Sequence, residues 1–171
     1  KFSHCQSRHL SLQLKTNVLS GKFIMSELQQ KSTRPDFLNV VTLGKLNTHS
    51  NPMAEIATAQ IGITTAGLRA FSTLMHWEMG VIAKALGTTE RTLLRNKEKP
   101  LNKQISENAL EVARLSSFGA AYFGNIDNWN TWLDTPNVQF DNQPPRSMMN
   151  SIRGRELIRR VINGLQYGFT A

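Results

Sequence analysis

The stretch KALGTTERTLLRNKEK, Lys84 to Lys99, decides how the rest of this 171-residue chain is read. It places five basic side chains around a glycine followed by two threonines. Ala83 and Gly87 lie one helical turn apart, and Leu93 follows six residues later. That spacing suits a helix–turn–helix: a small residue where the second helix crosses the first, a glycine in a left-handed turn, and an inward leucine on the second helix. Thr89 suits the N-cap, since its hydroxyl can accept from the amide of residue 91 or 92 and leave the helix N-terminus open to phosphate or groove. Glu90, Arg91, Leu94 and Arg95 are then expected to point outward. An arginine there can pair with guanine, while Glu90 can accept from cytosine or favour the helix dipole. The candidate DNA-binding set is Thr89, Glu90, Arg91, Thr92, Arg95 and Lys97. Such spacings also arise in any helical hairpin, so the motif alone leaves both readings open.

Charge supports a local anion-facing patch. The whole chain carries a net charge of +8. Four of those charges, Lys1, Arg8, Lys15 and Lys22, lie upstream of Met25, in residues 1–24, which contain no acid. This segment reads as non-native or disordered, and His4, Cys5 and His9 within it make a poor metal site. Downstream, residues 25–68 and 104–171 are each balanced, whereas residues 69–103 hold seven basic residues against Glu78, Glu90 and Glu98. A basic patch on an otherwise neutral surface fits a polyanion, because phosphate contacts gain from counterion release. The bland alternative is a solubilising face.

No apolar run approaches the ~20 residues needed to cross a bilayer. The lone cysteine precludes an intramolecular disulfide and suits a reducing cytoplasm. The expected location is cytoplasmic, without membrane attachment.

The rest reads as helices. Residues 25–62, with Pro35 and Pro52, lack a sustained period and are expected to form a flexible leader. From Thr64, Leu68, Phe71, Leu74 and Met75 share one helical face, and Val81, Ile82, Ala85 and Leu86 repeat the pattern after a break at His76, a capping or packing residue. Pro100 ends the third helix. Ser106 is the expected N-cap of a helix whose Leu110, Ala113, Leu115, Phe118 and Ala121 seek a partner surface. NIDNWNTWLDTPN forms a shorter helix with Trp129 and Trp132 in the core. After DNQPPRSM, the last helix carries the stripe Leu157, Ile158, Val161, Ile162 and Leu165, with Arg155, Arg159 and Arg160 on other faces. The fold class is all-α, with a helix–turn–helix domain at 63–103 and a second helical domain at 104–171.

Resemblance adds what spacing leaves open. ALGTTERTLLR resembles the helix–turn–helix of Xre-type antitoxins, and residues 106–169 resemble the toxin-binding domain of the Xre/MbcA/ParS antitoxin family. The carrying elements are Phe123–Gly124, WLDTPN at 132–137, PPRSMM, Gly154 and the closing YGF. Where the family often has a glycine-containing turn before the proline, this chain has FDNQPP, Phe140 to Pro145. The resemblance implies an antitoxin paired with a RES-domain toxin, an enzyme that consumes NAD. The antitoxin's C-terminal domain dimerises and covers the toxin's active-site cleft in a hetero-oligomer, and its helix–turn–helix binds the operon's own promoter DNA. It implies no catalysis and no cofactor, in keeping with the absence from the sequence of a phosphate-binding glycine loop, an acid–base pair or an activated nucleophile. The candidate toxin-binding residues are Arg155, Arg159, Gln166, Tyr167, Gly168, Phe169 and Ala171. Because NAD is anionic, the toxin's cleft is expected to be basic, and the Tyr167 hydroxyl or a terminal carboxylate at Ala171 could occupy the same donors. Tyr167 and Phe169 could instead close the core. Two rival readings stand beside this one: a plain helix–turn–helix regulator without a toxin, and an enzyme with a site assembled from scattered residues.

Overall fold

The computed structural model describes residues 35–95 and 99–168. The readings made for residues 1–24, with His4, Cys5 and His9, and for Lys97, Phe169 and Ala171 lie outside the described residues. Within them the chain is all-α, as expected: eight helices, two short 3-10 segments and one isolated antiparallel bridge between Asn137 and Gln143. None of these helices is long and apolar enough to cross a membrane.

The helices are α1 (Phe37–Val41), α2 (Pro52–Ile61), α3 (Thr65–Met75), α4 (Met79–Ala85), α5 (Glu90–Arg95), α6 (Lys103–Phe123), α7 (Ile126–Asp134) and α8 (Ile152–Gln166). The 3-10 segments Val138–Phe140 and Pro145–Met148 join α7 to α8. The long α6 is the spine: α1, α2, α7 and α8 all pack on it. Ala109, Leu110, Val112, Ala113 and Leu115 are its buried stripe, recurring at helical spacing, while Ala121 stays exposed. Each large apolar side chain buried in this way stabilises the fold by roughly 1.5–3 kcal/mol.

The flexible leader expected over 25–62 is corrected for residues 35–62, which are folded and supply core. Phe37, Leu38, Val41 and Leu46 are buried, and Phe37 meets Phe71 edge to face at 5.8 Å. A five-residue helix shows no sequence period, so caps do the work instead. The Asp36 carboxylate accepts from the amides of Asn39 (3.1 Å) and Thr48 (2.8 Å), closing α1 and the loop after it together. Asn51 caps α2, with Pro52 in the first turn, where its missing N–H costs nothing. The proline taken as a sign of flexibility is a helix start. Glu55 of α2 then pairs with Arg114 of α6.

Ser106 is not the N-cap of α6. Asn102 caps it, accepting from the Ile105 amide at 2.9 Å, and α6 begins one turn earlier. The fully buried Ser106 hydroxyl instead accepts from the Ile63 amide (2.9 Å), fastening the segment between α2 and α3 to α6. The expected boundary between 63–103 and 104–171 is no break in packing either, because one compact unit runs from Pro35 onward.

Candidate functional site

The helix pair α4–α5 is built as its sequence suggests. Leu86 ends α4, and Gly87 follows at φ +70°, in the left-handed region. The Thr88 amide returns to the Ala83 carbonyl (2.9 Å) and the Gly87 amide to that of Lys84 (3.0 Å). These two bonds satisfy orphan carbonyls of α4 in the Schellman manner and turn the chain sharply. Thr89 caps α5: its hydroxyl accepts from the Thr92 amide at 3.2 Å and lies 2.9 Å from the Thr92 hydroxyl. Ala83 and Leu93 are buried, and Leu93 offers its carbonyl to the Thr65 hydroxyl at 3.1 Å.

Outward-facing residues fall mostly where the spacing places them. Thr89, Glu90, Arg91 and Arg95 are exposed and Thr92 is half-buried. Leu94 is half-buried rather than outward. Arg91 and Arg95 make no ion pair among the described residues, so a guanidinium is available at each end of α5. Glu90 leans back over α4: its Oε2 lies 3.3 Å from where a Cβ on Gly80 would stand.

Side chains from downstream hold both ends of α4. At its start, Trp77 is nearly buried and donates from Nε1 to Asn130 Oδ1 on α7 at 2.6 Å. Asn130 Nδ2 in turn donates to the Met75 carbonyl at 2.9 Å. The Arg146 guanidinium stacks 4.5 Å over the Trp77 ring and donates from Nη2 to Asp134 (2.8 Å) and Asn130 (3.3 Å). At the other end, Asn108 Nδ2 on α6 donates to the Leu86 carbonyl at 3.0 Å, and its Oδ1 accepts from Arg155 Nη2 at 2.9 Å. The sequence gives no periodic signal for Trp77, Asn108, Asn130 or Arg146. Two polar asparagines inside amphipathic helices are the faint hint, since such residues weaken a helix unless they bond elsewhere.

The second candidate set divides. Arg155, expected on an exposed face, is corrected to the interior: it is 4% exposed, and its Nη1 donates to the Met149 carbonyl at 2.8 Å. It lies next to Gly154 on the buried side of α8, three residues before Ile158, and periodicity in apolar residues cannot reveal a guanidinium that shares their face. Burial pulls its pKa down from the usual arginine value, opposed by the negative charge of Glu111. Arg159 stands half-exposed, 3.9 Å from Glu111. Gln166, Tyr167 and Gly168 are exposed at the end of α8, Tyr167 to 71%. Tyr167 therefore does not close the core.

Between these sites the aromatic layer is core, as expected for Trp129 and in part for Trp132. Trp129 is fully buried, stacked 5.4 Å from half-buried Trp132 and 5.9 Å from Phe123. It lies so close on α6 that a Cβ at Gly119 would meet its ring at 2.5 Å. His76 sits at φ +56° as the C-cap of α3, exposed and 3.4 Å from Asp127. Among the described residues no group of three His, Cys, Asp or Glu side chains is placed to hold a metal.

The segment running from the end of α6 to the end of α8 thus supplies Asn130 and Arg146 to the bracket at the start of α4, and Arg155 to the Asn108 that holds its other end. Residues 119–168 match the family model of the antitoxin Xre/MbcA/ParS C-terminal toxin-binding domain. Gly119, Gly124, Trp132, the 3-10 turn after Pro144 and Gly154 all fall inside the matched segment. The comparison with curated proteins gives no match.

Proposed function

We propose that this chain is an antitoxin that neutralises a RES-domain, NAD-consuming toxin by covering its active-site cleft, and that it represses its own operon by binding promoter DNA through α4–α5. The observation that carries the reading is the toxin-binding domain over 119–168, which ends in the exposed Gln166, Tyr167 and Gly168. Arg159 lies on the same helix and joins them as a candidate toxin contact, whereas Arg155 acts from beneath by fixing α8 to α6. The described residues of the DNA-binding set, Thr89, Glu90, Arg91, Thr92 and Arg95, sit on or cap α5. The protein works as a homodimer that joins the toxin in a hetero-oligomer in the cytoplasm. It needs no cofactor and performs no catalysis.

Co-expression with the RES-domain toxin tests the first half: the full chain should restore growth, and a chain lacking residues 167–171 should fold yet fail to do so. Rescue by the folded truncation removes the tail as the inhibitory element. For DNA, Arg91→Ala and Arg95→Ala should each weaken promoter binding by ~1–3 kcal/mol at fixed salt if the guanidinium meets a base edge. Unaltered binding in both variants would take α5 out of the interface.

A further inference from the structure

A groove of about 560 Å³ runs between α2, α6 and α8, within the ~300–1,000 Å³ of pockets that take ligands. Its floor is aliphatic: Ile56 and Ala59 of α2, Leu110 of α6 and Ile152 of α8. Ile56 and Ile152 are 50% and 63% exposed, so two large apolar side chains face solvent across a concave surface. The rim is acidic. Glu107 and Glu111 of α6 and Glu156 of α8 line it, and each keeps roughly half of its side chain in water. Their cations are loosely held: Lys103 reaches Glu107 at 3.6 Å, Arg159 reaches Glu111 at 3.9 Å, and Arg153, itself 91% exposed, reaches Glu156 at 2.9 Å. Exposed pairs of this kind contribute little, so a partner's cation can replace them at little cost. Lys103 and Arg153 do not line the groove, whereas Arg159 does, beside Glu111. The lining guanidinium that is buried, Arg155, is already committed to Asn108 and Met149.

An aliphatic floor under a carboxylate rim selects its occupant. Four lining carboxylates, Glu55, Glu107, Glu111 and Glu156, stand against two guanidinium groups, Arg155 and Arg159, a balance that favours a cationic partner over DNA, an anionic membrane or an acidic peptide. We propose that the α2–α6–α8 groove docks a basic amphipathic segment of a protein partner, with aliphatic side chains between Ile56 and Ile152 and Lys or Arg side chains on Glu107, Glu111 and Glu156. Since α8 belongs to the toxin-binding domain, the toxin is the partner in which such a segment is expected, and to that extent the inference rests on the antitoxin reading. It adds α2, which lies outside the matched residues, to the toxin-facing surface.

The test uses the full chain and two labelled helical peptides, identical on a leucine face and carrying either lysine or glutamate on the other, read by fluorescence anisotropy at low salt. The lysine peptide should bind about tenfold or more tightly than the glutamate peptide, the scale of steering and pairing that complementary charge supplies. Ile152→Asp should weaken the lysine peptide by about tenfold, as the loss of a central apolar anchor does. The triple change Glu107→Gln, Glu111→Gln, Glu156→Gln should bring the two peptides within about twofold of each other. Val138→Asp, at an even more exposed apolar residue away from the groove, should change nothing. Equal binding of both peptides, a triple variant that keeps its preference, or a Val138 variant as impaired as that at Ile152 each overturns the proposal. None of these readouts uses the toxin, so failure here leaves the growth-rescue test standing, and failure of rescue leaves the groove.

Discussion

Arginine does two different jobs in this fold, contact and bracing, and the bracing arginines lie in its downstream half. On α5, Arg91 and Arg95 stand in water without an ion pair among the described residues. In the downstream half, Arg114 clasps Glu55, Arg146 lies over Trp77 while holding Asp134, and Arg155 is buried between Asn108 and Met149. The difference is one of surroundings rather than residue type. A six-residue helix with Leu93 as its buried residue has little interior in which to hide a guanidinium. The long α6 and its partners leave polar seams that a planar fork of five donors fills well. An exposed arginine is a candidate contact; a buried one is a brace, and its loss would reach a partner only through the fold.

The largest effect should come where that bracing needs the closest approach. A Cβ on Gly154 would lie 1.9 Å from the Met148 carbonyl oxygen, a backbone atom that cannot swing aside. Gly154→Ala should therefore cost about 3 kcal/mol, at the upper end of overpacking penalties, seen as a lower urea midpoint. An unchanged midpoint would mean that α8 and the preceding 3-10 turn slide freely, and the contrast between a braced half and an open helix pair would lose its basis.

Next comes the direct exchange of the two arginine classes. Arg155→Ala strands two buried acceptors, Asn108 Oδ1 and the Met149 carbonyl, and should cost roughly 2 kcal/mol. Arg91→Ala should stay within about 0.5 kcal/mol of the parent in stability, as surface changes do, while it alters promoter affinity. Equal losses of stability in the two variants would collapse the distinction. Asn130→Ala sharpens it by cutting the bracket at the start of α4, where one side chain accepts from Trp77 and donates to Met75. A stability loss of about 1–2 kcal/mol is expected, together with weaker promoter binding although Asn130 lies on α7. Loss of stability with promoter binding intact would show that α4 keeps its place without the bracket.

The sequence discloses those elements in which apolar side chains repeat. Leu68, Phe71 and Met75 mark α3, and the buried pair Ile158 and Ile162 marks α8, because burial of one helical face imposes a 3.6-residue period. The turn at Gly87 and the cap at Thr89 are legible for a local reason: each depends on one residue's backbone freedom or hydroxyl. Three things escape. The helix α1 is too short to show a period, and its stability comes from Asp36 and from Phe37 packing on Phe71. Arg155 shares a face with aliphatic residues, and charge alone argues for the surface. Asn108 and Asn130 act across 22 and 55 residues, on Leu86 and Met75, and no local pattern encodes a bond of that span. Of the candidate sites, the outward set on α5 is thus mostly readable, whereas the division of the α8 arginines into brace and contact needs the packed structure.

The smallest effect tests whether the segment before α2 is braced by the same polar logic as the downstream half. Burial alone would raise the Asp36 carboxyl pKa, but hydrogen bonds from the Thr48 and Asn39 backbone amides, with smaller help from the Thr48 side chain, outweigh it and hold the group below the usual aspartate value of 3.8. The sign follows from proton counting. With its pKa lower when folded than when unfolded, Asp36 binds fewer protons in the native state, so its stabilisation is complete above the unfolded value and fades as pH falls through the folded one. The window therefore lies below about pH 4. Asp36→Asn keeps an N-cap acceptor and should cost under about 1 kcal/mol at pH 7, since asparagine caps about as well as aspartate. What it should remove is Asp36's share of the acid sensitivity: between pH 5 and pH 2.5 the parent should lose more stability than the variant in matched urea titrations. Parallel losses in the two proteins would mean that the carboxylate is not the group that closes α1 onto the Thr48 loop.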